Sequence, residues 1–345
     1  MPHSIALVPE APTARLLLPA DTTEEQWHEA RRNGIGGSDV AAILGLDKYR
    51  GPRHVFEAKH GRDVFDGDTE AADIGRDIED FIAYLFGKRT GIEIGKPSGT
   101  LVHVEHDWMR ANVDRYALDD GGLGVAPIEL KNRSAYQLDD WEDGVPDGPA
   151  LQAHWYMAVG GWKYAWVTAL VGGNRLKYHR IERDEELIET LVDTCGRWFQ
   201  RHVVEGFPPP ADGLEATKEL LGRLWDVKAK DVAEVSLDKA RKLRKRRTTL
   251  GEQIKALDHQ LTEVENEMRL VCGESGIAEA DGKKAWSYVP NGTFSAKRFE
   301  NDYPIIAAEC RTTVEVLDMD LIKEKYPTEY GKCRARVLRV PAKEL

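Results

Sequence analysis

The chain has 345 residues, 41% of them hydrophobic, which is enough to form the core of one large domain or of two ordinary ones. Its 59 acidic and 48 basic residues give a net charge of −11, which neither requires nor excludes nucleic acid, because a local basic track suffices for phosphate contacts. No run approaches the roughly eighteen apolar residues of a membrane helix. The N-terminus also lacks a signal-peptide pattern, so the sequence predicts a cytoplasmic protein without a membrane partner.

Four cysteines lie far apart in the chain, at Cys195, Cys272, Cys310 and Cys333. No CxxC pair occurs among them, so the sequence suggests neither a zinc site nor a disulfide framework. Buried or idle thiols are the favoured interpretation.

Short helices are predicted near the N-terminus. The capping-box spacing of Thr22 and Glu25 indicates the start of a first helix, which ends at the glycine-rich turn of residues 34–37. Ser38 and the residue after it are then expected to cap a short helix over residues 40–44.

A longer helix followed by strands is predicted next. Apolar residues at helical spacing indicate a helix over residues 71–90. The β-rich segments that follow cover residues 100–104, 109–118, 125–132, 164–171 and 175–182. Helices over about 149–160 and 184–204 interrupt and close this region, which predicts a mixed α/β domain.

The character of the sequence changes after the triple proline at residues 208–210. Apolar residues then recur at alternating spacings of four and three, at Leu250, Ile254, Leu257, Leu261, Val264, Met268 and Val271. This heptad seam predicts a helical hairpin or a coiled coil. Just before it, seven of the nine residues 239–247 are basic, which is typical of a solvated helix face but also suits a DNA backbone or a partner protein.

Four segments are therefore predicted. Residues 1–20 are expected to be a flexible N-terminal segment and residues 21–210 the α/β domain. Residues 211–275 are expected to form the helical coiled-coil segment with its basic run. Residues 276–345 are expected to form a small α+β segment, with β-rich stretches at 284–289, 314–317 and 336–340.

The residues with the clearest chemistry are Asp114, Glu129 and Lys131. Asp114 lies on the predicted strand 109–118, and Glu129 follows fifteen residues later on a second strand. Because side chains alternate along a strand, Glu129 and Lys131 should point to one side while Ile128 and Leu130 point to the other. Two carboxylates and an amine would then meet.

Such a group suits metal-assisted phosphodiester hydrolysis. Hard oxygen ligands favour Mg²⁺, and a lysine can orient or deprotonate a water while the ion polarises the scissile phosphate. The bare pattern also occurs by chance, usually as a surface Glu/Lys pair. Its apolar neighbours favour a central strand, where charges without a purpose would be costly.

Three further positions have both a functional and an ordinary interpretation. Glu79 could be an accessory acid or a surface residue at the edge of its helix. Ser38 could bind an anion at a helix N-terminus or only cap it, with Arg31 or Arg32 supplying the countercharge. Gln152 could serve the site or be an ordinary polar position on an amphipathic helix.

In combination, these segments resemble a known family. The ordered set comprises residues 26–31 (QWHEAR), 34–39 (GIGGSD), 75–79 (GRDIE), Asp114, 129–131 (ELK) and Gln152. It resembles the YqaJ-type phage recombinase nucleases, relatives of lambda exonuclease within the PD-(D/E)xK superfamily, over about residues 20–205.

The resemblance implies a restriction-endonuclease-like core, a mixed central sheet flanked by helices. It also implies a 5′-to-3′ exonuclease on double-stranded DNA ends, producing 3′ single strands for an annealing protein in phage-type recombination. The cofactor would be Mg²⁺, or Mn²⁺, with two ions. A homo-oligomer, a trimer by analogy with lambda exonuclease, and the cytoplasm of a bacterial host are further expectations.

By matching motif position, the resemblance also implies residue roles. The metal ligands would be Asp114, Glu129 and the Leu130 carbonyl, and Lys131 would be the catalytic lysine.

Glu79 would be an accessory acid, Gln152 would contact the attacking water or phosphate, and Arg31 with Ser38 would hold the 5′-phosphate. Asn112 departs from the family, because lambda exonuclease has a small hydroxyl residue shortly before its catalytic aspartate. The downstream phosphate-binding arginine also has no exact counterpart, Arg133 being nearer the lysine.

Three other classes of protein share parts of this pattern. An iron–sulfur PD-(D/E)xK exonuclease needs one cysteine before the motif and three clustered after it, whereas all four cysteines here follow Lys131 and none cluster. A PD-(D/E)xK endonuclease would share the acidic site but would cut closed circles. A non-catalytic module that binds DNA ends or a partner would use the coiled coil and basic run instead, although it usually loses an acid or the lysine first.

Overall fold

In the computed structural model, residues 7–8, 11–62, 70–225, 231–290, 292–312 and 316–333 are described. The chain divides into two units, Met1–Val227 and Lys228–Leu345. None of the described helices is long and apolar enough to cross a membrane.

The first unit contains nine described strands and seven described α-helices. Its strands are β1 (Leu7–Val8), β2 (Ala11–Pro19), β3 (Ile94–Gly95), β4 (Gly99–His103), β5 (Arg110–Ala111), β6 (Arg115–Leu118), β7 (Gly124–Arg133), β8 (Tyr164–Val171) and β9 (Arg175–Glu182). Its helices are α1 (Glu24–Arg32), α2 (Gly37–Ile43), α3 (Pro52–Lys59), α4 (Glu70–Thr90), α5 (Asp147–Gly160), α6 (Glu185–Trp198) and α7 (Glu215–Arg223). Short helical turns occur at Ala135–Gln137, Asp139–Trp141 and Phe199–Val204.

A mixed five-stranded sheet, in the order β3-β6-β7-β8-β9, lies at the centre of this unit. Strands β7 and β8 are parallel, and the other neighbours are antiparallel. A second sheet has the order β1-β2-β4-β5 and is antiparallel throughout. Helix α4 contacts β7, and α5 contacts both β7 and β8. The predicted mixed central sheet flanked by helices is therefore confirmed.

The two sides of β7 face different clusters of buried side chains. Residues from α4 and the sheet form the smaller cluster: Ile82, Ala83, Phe86, Ala117, Ala126, Ile128, Leu130 and Leu170. The larger cluster takes most of its members from α2, α5, β8 and α6. A β-strand buried on both faces holds its side chains in fixed directions, which prepares β7 to position polar groups.

Two predictions about strands are wrong. The segment expected to be flexible contains β2, in which Ala11 and Ala14 are fully buried and the backbone pairs with β4. Small side chains at these two positions let the strand approach the core. The single strand predicted over 109–118 is instead two strands, β5 and β6, which belong to different sheets.

The helix caps also differ from the prediction by a residue or two. Thr23 and Gln26, rather than Thr22 and Glu25, form the capping box of α1. Helix α2 starts at Gly37, so Ser38 lies inside its first turn, and the Asp39 carboxylate accepts the Gly36 N–H at 3.2 Å. Helix α3 was not predicted.

The second unit contains the long helix α8 (Leu237–Cys272) and a hairpin of β10 (Ile277–Ala280) and β11 (Lys283–Ser287). Four short helices follow: α9 (Ala296–Asp302), α10 (Pro304–Glu309), α11 (Met319–Lys325) and α12 (Pro327–Lys332). The predicted β-rich stretch at 336–340 lies outside the described residues, as does much of 314–317. Because α7 packs against α3, the first unit continues past residue 210. Cys195 and Cys272 are buried, and Cys310 and Cys333 are exposed.

Candidate active site

Strand β7 carries Glu129 and Lys131 on the side opposite Ile128 and Leu130, as its alternation predicts. Ile128 and Leu130 are buried in the cluster formed with α4. The Lys131 Nζ donates hydrogen bonds to Glu129 Oε1 and, at 3.2 Å, to Gln152 Oε1 on α5. The structure therefore brings Glu129, Lys131 and Gln152 together.

Asp114 joins this group from the connection between β5 and β6, not from a strand as predicted. Its Oδ2 accepts the backbone N–H of Leu130 at 2.8 Å, which fixes the carboxylate beside β7. That bond explains why the chain leaves its β conformation here: the residues before β6 must turn so that an acidic side chain can replace a backbone partner of β7.

Asp114 is held in a buried position close to a second carboxylate. Burial and then the nearby Glu129 carboxylate raise the pKa of Asp114 well above its usual value, against the opposing effect of Lys131. The Glu129 side chain is only 2% exposed. Its Oε2 is buried and accepts no hydrogen bond from the described residues. The site thus disfavours two negative charges side by side in a place that water reaches poorly.

Tyr156 is a part of the site that the sequence prediction missed. This buried side chain lies one helical turn after Gln152, and its hydroxyl accepts from Gln152 Nε2 at 2.8 Å. The same hydroxyl donates its only proton to the Asn112 carbonyl at 2.6 Å. It therefore has no proton left to donate to the Glu129 carboxylate. Burial, followed by the charges of Glu129 and Asp114, raises the pKa of Tyr156 well above its usual value, so it stays a donor. The four-residue spacing was the available signal.

Gly37 allows α2 to approach α5 closely at this point. A Cβ placed on Gly37 would lie 2.9 Å from both Gln152 Cγ and Tyr156 Cε1, closer than a real contact permits. A larger residue would displace the two side chains that hold Lys131. The glycine-rich turn is therefore tied to the geometry of the site.

Glu79 lies at the edge of the group on α4, with its side chain 34% exposed. Its Oε2 is 4.0 Å from Arg115 Nη1. Burial raises the pKa of Glu79, Arg115 opposes that shift, and the Glu129 charge adds to it. Glu79 thus lies within electrostatic reach of the carboxylates without contacting them.

A separate basic group surrounds the start of α2. Arg31 Nη2 donates to Ser38 Oγ at 3.2 Å, so the predicted pair is in contact. The buried Asp39 carboxylate contacts Lys59 Nζ at 2.6 Å, Arg50 Nη2 at 3.4 Å and Arg31 Nη2 at 3.7 Å. Lys59 and Arg50 come from α3 and the loop before it, which is why their participation could not be predicted.

Electrostatics keep this basic group together. Burial alone would raise the pKa of Asp39, but the combined charges of Lys59, Arg31 and Arg50 hold it well below its usual range. Lys59 Nζ also donates to the Arg31 carbonyl at 2.8 Å. Asp39 and Lys59 therefore form a buried support, while Arg31 and Arg50 reach the surface.

An open cleft runs from this basic group toward the acidic one. Arg31, Arg50 and Lys59 line one part of it, and Asn112 and Val113, the residues just before Asp114, line another. The Asn112 Oδ1 accepts from Thr100 Oγ1 at 2.6 Å. The basic group and the segment just before Asp114 thus line the same cleft.

The donor set fits a hard divalent cation. Among the described residues no group of three or more His, Cys, Asp or Glu side chains is arranged around a metal position, and the predicted set has only two carboxylates plus the Leu130 carbonyl. Glu129 Oε2 has no hydrogen-bond partner in the described part of the chain, and Asp114 has a second oxygen that is not bonded to Leu130. A cation here would oppose both the burial and the nearby Glu129 charge that raise the pKa of Asp114.

Comparisons with known proteins indicate one family. A family described as the YqaJ-like viral recombinase domain matches residues 26–163. The protein YqaJ of Bacillus subtilis (strain 168) is 30% identical over 291 residues, which cover 83% of this chain and 90% of that protein.

Two solved exonucleases show more distant similarity. An alkaline exonuclease from Laribacter hongkongensis is 17% identical with a TM-score of 0.43, covering 52% of this chain and 93% of that one. A phage-related exonuclease from Haemophilus somnus 129PT is 14% identical with a TM-score of 0.38, covering 50% of this chain and 96% of that one. The identity and coverage shared with the Bacillus subtilis relative establish what the ordered motifs predicted: the chain belongs to the YqaJ family of viral recombinase domains.

Proposed function

We propose that this protein is a metal-dependent exonuclease that degrades linear double-stranded DNA from its 5′ ends. One observation carries the proposal: Asp114 and the buried Glu129 converge beside Lys131, and no described residue donates a hydrogen bond to Glu129 Oε2. Membership of a viral recombinase family supports DNA as the substrate.

Asp114, Glu129 and the Leu130 carbonyl would hold Mg²⁺, or Mn²⁺ in its place. Two ions are proposed, with the substrate phosphate and waters completing their coordination. When bound, the metal would polarise the scissile phosphate and stabilise the leaving oxygen.

Lys131 is the residue proposed to act on the attacking water. Its Nζ is held between Glu129 Oε1 and Gln152 Oε1, so the ammonium is aimed without needing to reorganise during the reaction. Gln152 is itself fixed by the Tyr156 hydroxyl. Gln152 would contact the same water or the phosphate, and Glu79, within electrostatic reach, would serve as an accessory acid.

The basic group at α2 is proposed to bind the 5′-phosphate. Arg31 and Ser38 are in contact, and Ser38 lies in the first turn of α2, where backbone N–H groups and the helix dipole favour an anion. Arg50 Nη2 lies 3.4 Å from the Asp39 carboxylate and adds to this group a positive charge that the sequence analysis did not include.

The proposal is tested with duplexes labelled at either end, with and without a 5′-phosphate, beside covalently closed circles. With Mg²⁺ we expect nucleotide release from the 5′ end of linear duplex, a preference for the 5′-phosphate, and no cutting of circles. Chelation of the metal should stop the reaction. Release from the 3′ end would contradict the polarity, and cutting of circles would indicate an endonuclease.

The same experiment distinguishes a non-catalytic module. Such a protein would retard duplex DNA on a gel equally with and without Mg²⁺ and would release no nucleotides. Product that escapes digestion should be 3′ single-stranded DNA, the substrate on which a single-strand annealing protein would act.

A further inference from the structure

The long helix α8 exposes an apolar seam that covers almost its whole length. The seam positions are Ala240, Leu243, Arg247, Leu250, Ile254, Leu257, Leu261, Val264, Met268 and Val271, alternately a and d of a heptad repeat. Six of them are at least half exposed: Leu243, Ile254, Leu257, Leu261, Val264 and Val271. An apolar stripe of this size on a soluble helix is unusual without a partner.

We propose that α8 pairs with α8 of a second copy of this chain as an antiparallel coiled coil. At ~1.5 Å per residue the 36-residue helix is about 54 Å long, enough for several heptads of pairing. The identity of the partner helix and its direction both follow from the charged residues that border the seam.

These bordering positions have opposite signs at the two ends of the helix. Toward the N-terminus they are Lys239 and Arg246 on one edge and Arg244 on the other. Toward the C-terminus they are Glu267 on the first edge, and Asp258 and Glu265 on the second. The helix is thus complementary to a reversed copy of itself.

In the register that overlaps the full seam, every a position faces a d position. Leu250 meets Leu261 of the second copy, and Ile254 meets Leu257 of the second copy. In an antiparallel pair each edge of one helix lies along the same edge of the other helix. Arg244 therefore lies beside Glu265 of the second copy, and Arg246 lies beside Glu267 of the second copy. Two-fold symmetry repeats each contact, giving four attractive pairs.

The parallel arrangement is disfavoured by the same residues. It would place Arg247 directly opposite Arg247 of the second copy within the seam, and Lys239 beside Arg244. In the antiparallel pair Arg247 faces Val264 instead, where its long side chain can reach the solvent. Glu265 contacts Arg269 of its own helix at 2.7 Å. This exposed ion pair is too weak to prevent Glu265 from pairing with Arg244 of the second copy instead.

The charges are tested by light scattering and sedimentation equilibrium on the full chain. Reversing Arg244→Glu with Arg246→Glu should raise the dissociation constant at least tenfold and lower the average mass measured near the wild-type dissociation constant. Adding Glu265→Arg and Glu267→Arg to the same chain should restore the constant to within about threefold, because attraction returns only if the helices are antiparallel. A mass that none of these changes alters overturns the proposal, as does a failure of the fourfold variant to recover.

The direction is tested separately by disulfide formation, with the four native cysteines replaced by alanine. A chain carrying both Arg247→Cys and Val264→Cys should form covalent dimers on mild oxidation, whereas each single variant should not. Efficient cross-linking of the Arg247→Cys single variant means a parallel pair and overturns the proposed orientation. Arg247 and Val264 are exposed, and circular dichroism is used to check that each variant keeps the helix content of the wild type.

Discussion

Replacing Tyr156 with phenylalanine removes one buried oxygen and leaves the ring in place. The hydroxyl donates to the Asn112 carbonyl at 2.6 Å and accepts from Gln152 Nε2 at 2.8 Å. The substitution therefore leaves a backbone acceptor and an amide donor without this partner. It also releases Gln152, whose Oε1 accepts a hydrogen bond from Lys131 Nζ at 3.2 Å.

The size of the effect follows from these two bonds. A buried polar group left unsatisfied costs ~1–3 kcal/mol, so we expect the free energy of unfolding in urea to fall by that amount for Tyr156→Phe. We also expect kcat for nucleotide release to fall about tenfold, which corresponds to ~1.4 kcal/mol of transition-state stabilisation. KM should change little, because Tyr156 is only 3% exposed and does not reach the cleft surface.

Tyr136→Phe is the matched control. Its side chain is 99% exposed, so removing its hydroxyl should alter neither stability nor kcat. If Tyr156→Phe were as stable and as active as the control, the hydroxyl would not position Gln152. A loss of stability with unchanged kcat would show a purely structural role.

Three further predictions concern other parts of the first unit. Asp39→Asn leaves the buried Lys59 ammonium without its closest anion and should lower the free energy of unfolding by ~3–5 kcal/mol. Because folding lowers the pKa of Asp39, its contribution to the free energy of unfolding is present above its unfolded pKa of about 4 and is lost as the pH falls below that value. If the stability difference between the wild type and Asp39→Asn does not shrink in acid, this sign is wrong. Burial raises the pKa of the Cys195 thiol to about 12, so at pH 8 only the two exposed cysteines of the second unit should be alkylated quickly, and rapid labelling of Cys195 in mass spectra would show that the core opens. Ser38→Ala should reduce the preference for a 5′-phosphate by about threefold to tenfold, consistent with a hydrogen bond of ~1 kcal/mol, without changing release from ends that lack it.

How much the sequence could predict depends on how local the determinants are. The alternation along β7 is a property of consecutive residues, and so the opposite directions of Glu129 and Ile128 could be predicted. The pairing of Arg31 with Ser38 also joins nearby positions on consecutive helices.

Other features depend on contacts between distant segments. The break before β6 exists because the Asp114 carboxylate takes a backbone N–H of β7, and strand propensity does not report such a bond. Lys59 reaches Asp39 only after α2 and α3 have packed together. Two small buried residues, Ala11 and Ala14, were likewise insufficient to reveal a strand in the N-terminal segment.

The central claim is tested most directly by the rate at which a Lys131→Ala variant releases nucleotides from linear duplex at saturating Mg²⁺. Lys177→Ala is the matched control, since Lys177 is also a strand lysine paired with a glutamate, at 2.9 Å, but outside the site. Loss of a general acid or base usually costs ~10²-fold to 10⁴-fold in rate. We predict a loss of that size for Lys131→Ala with its duplex binding retained, and a wild-type rate for Lys177→Ala. Equal rates for the wild type and both variants would contradict the assignment of catalysis to Asp114, Glu129 and Lys131.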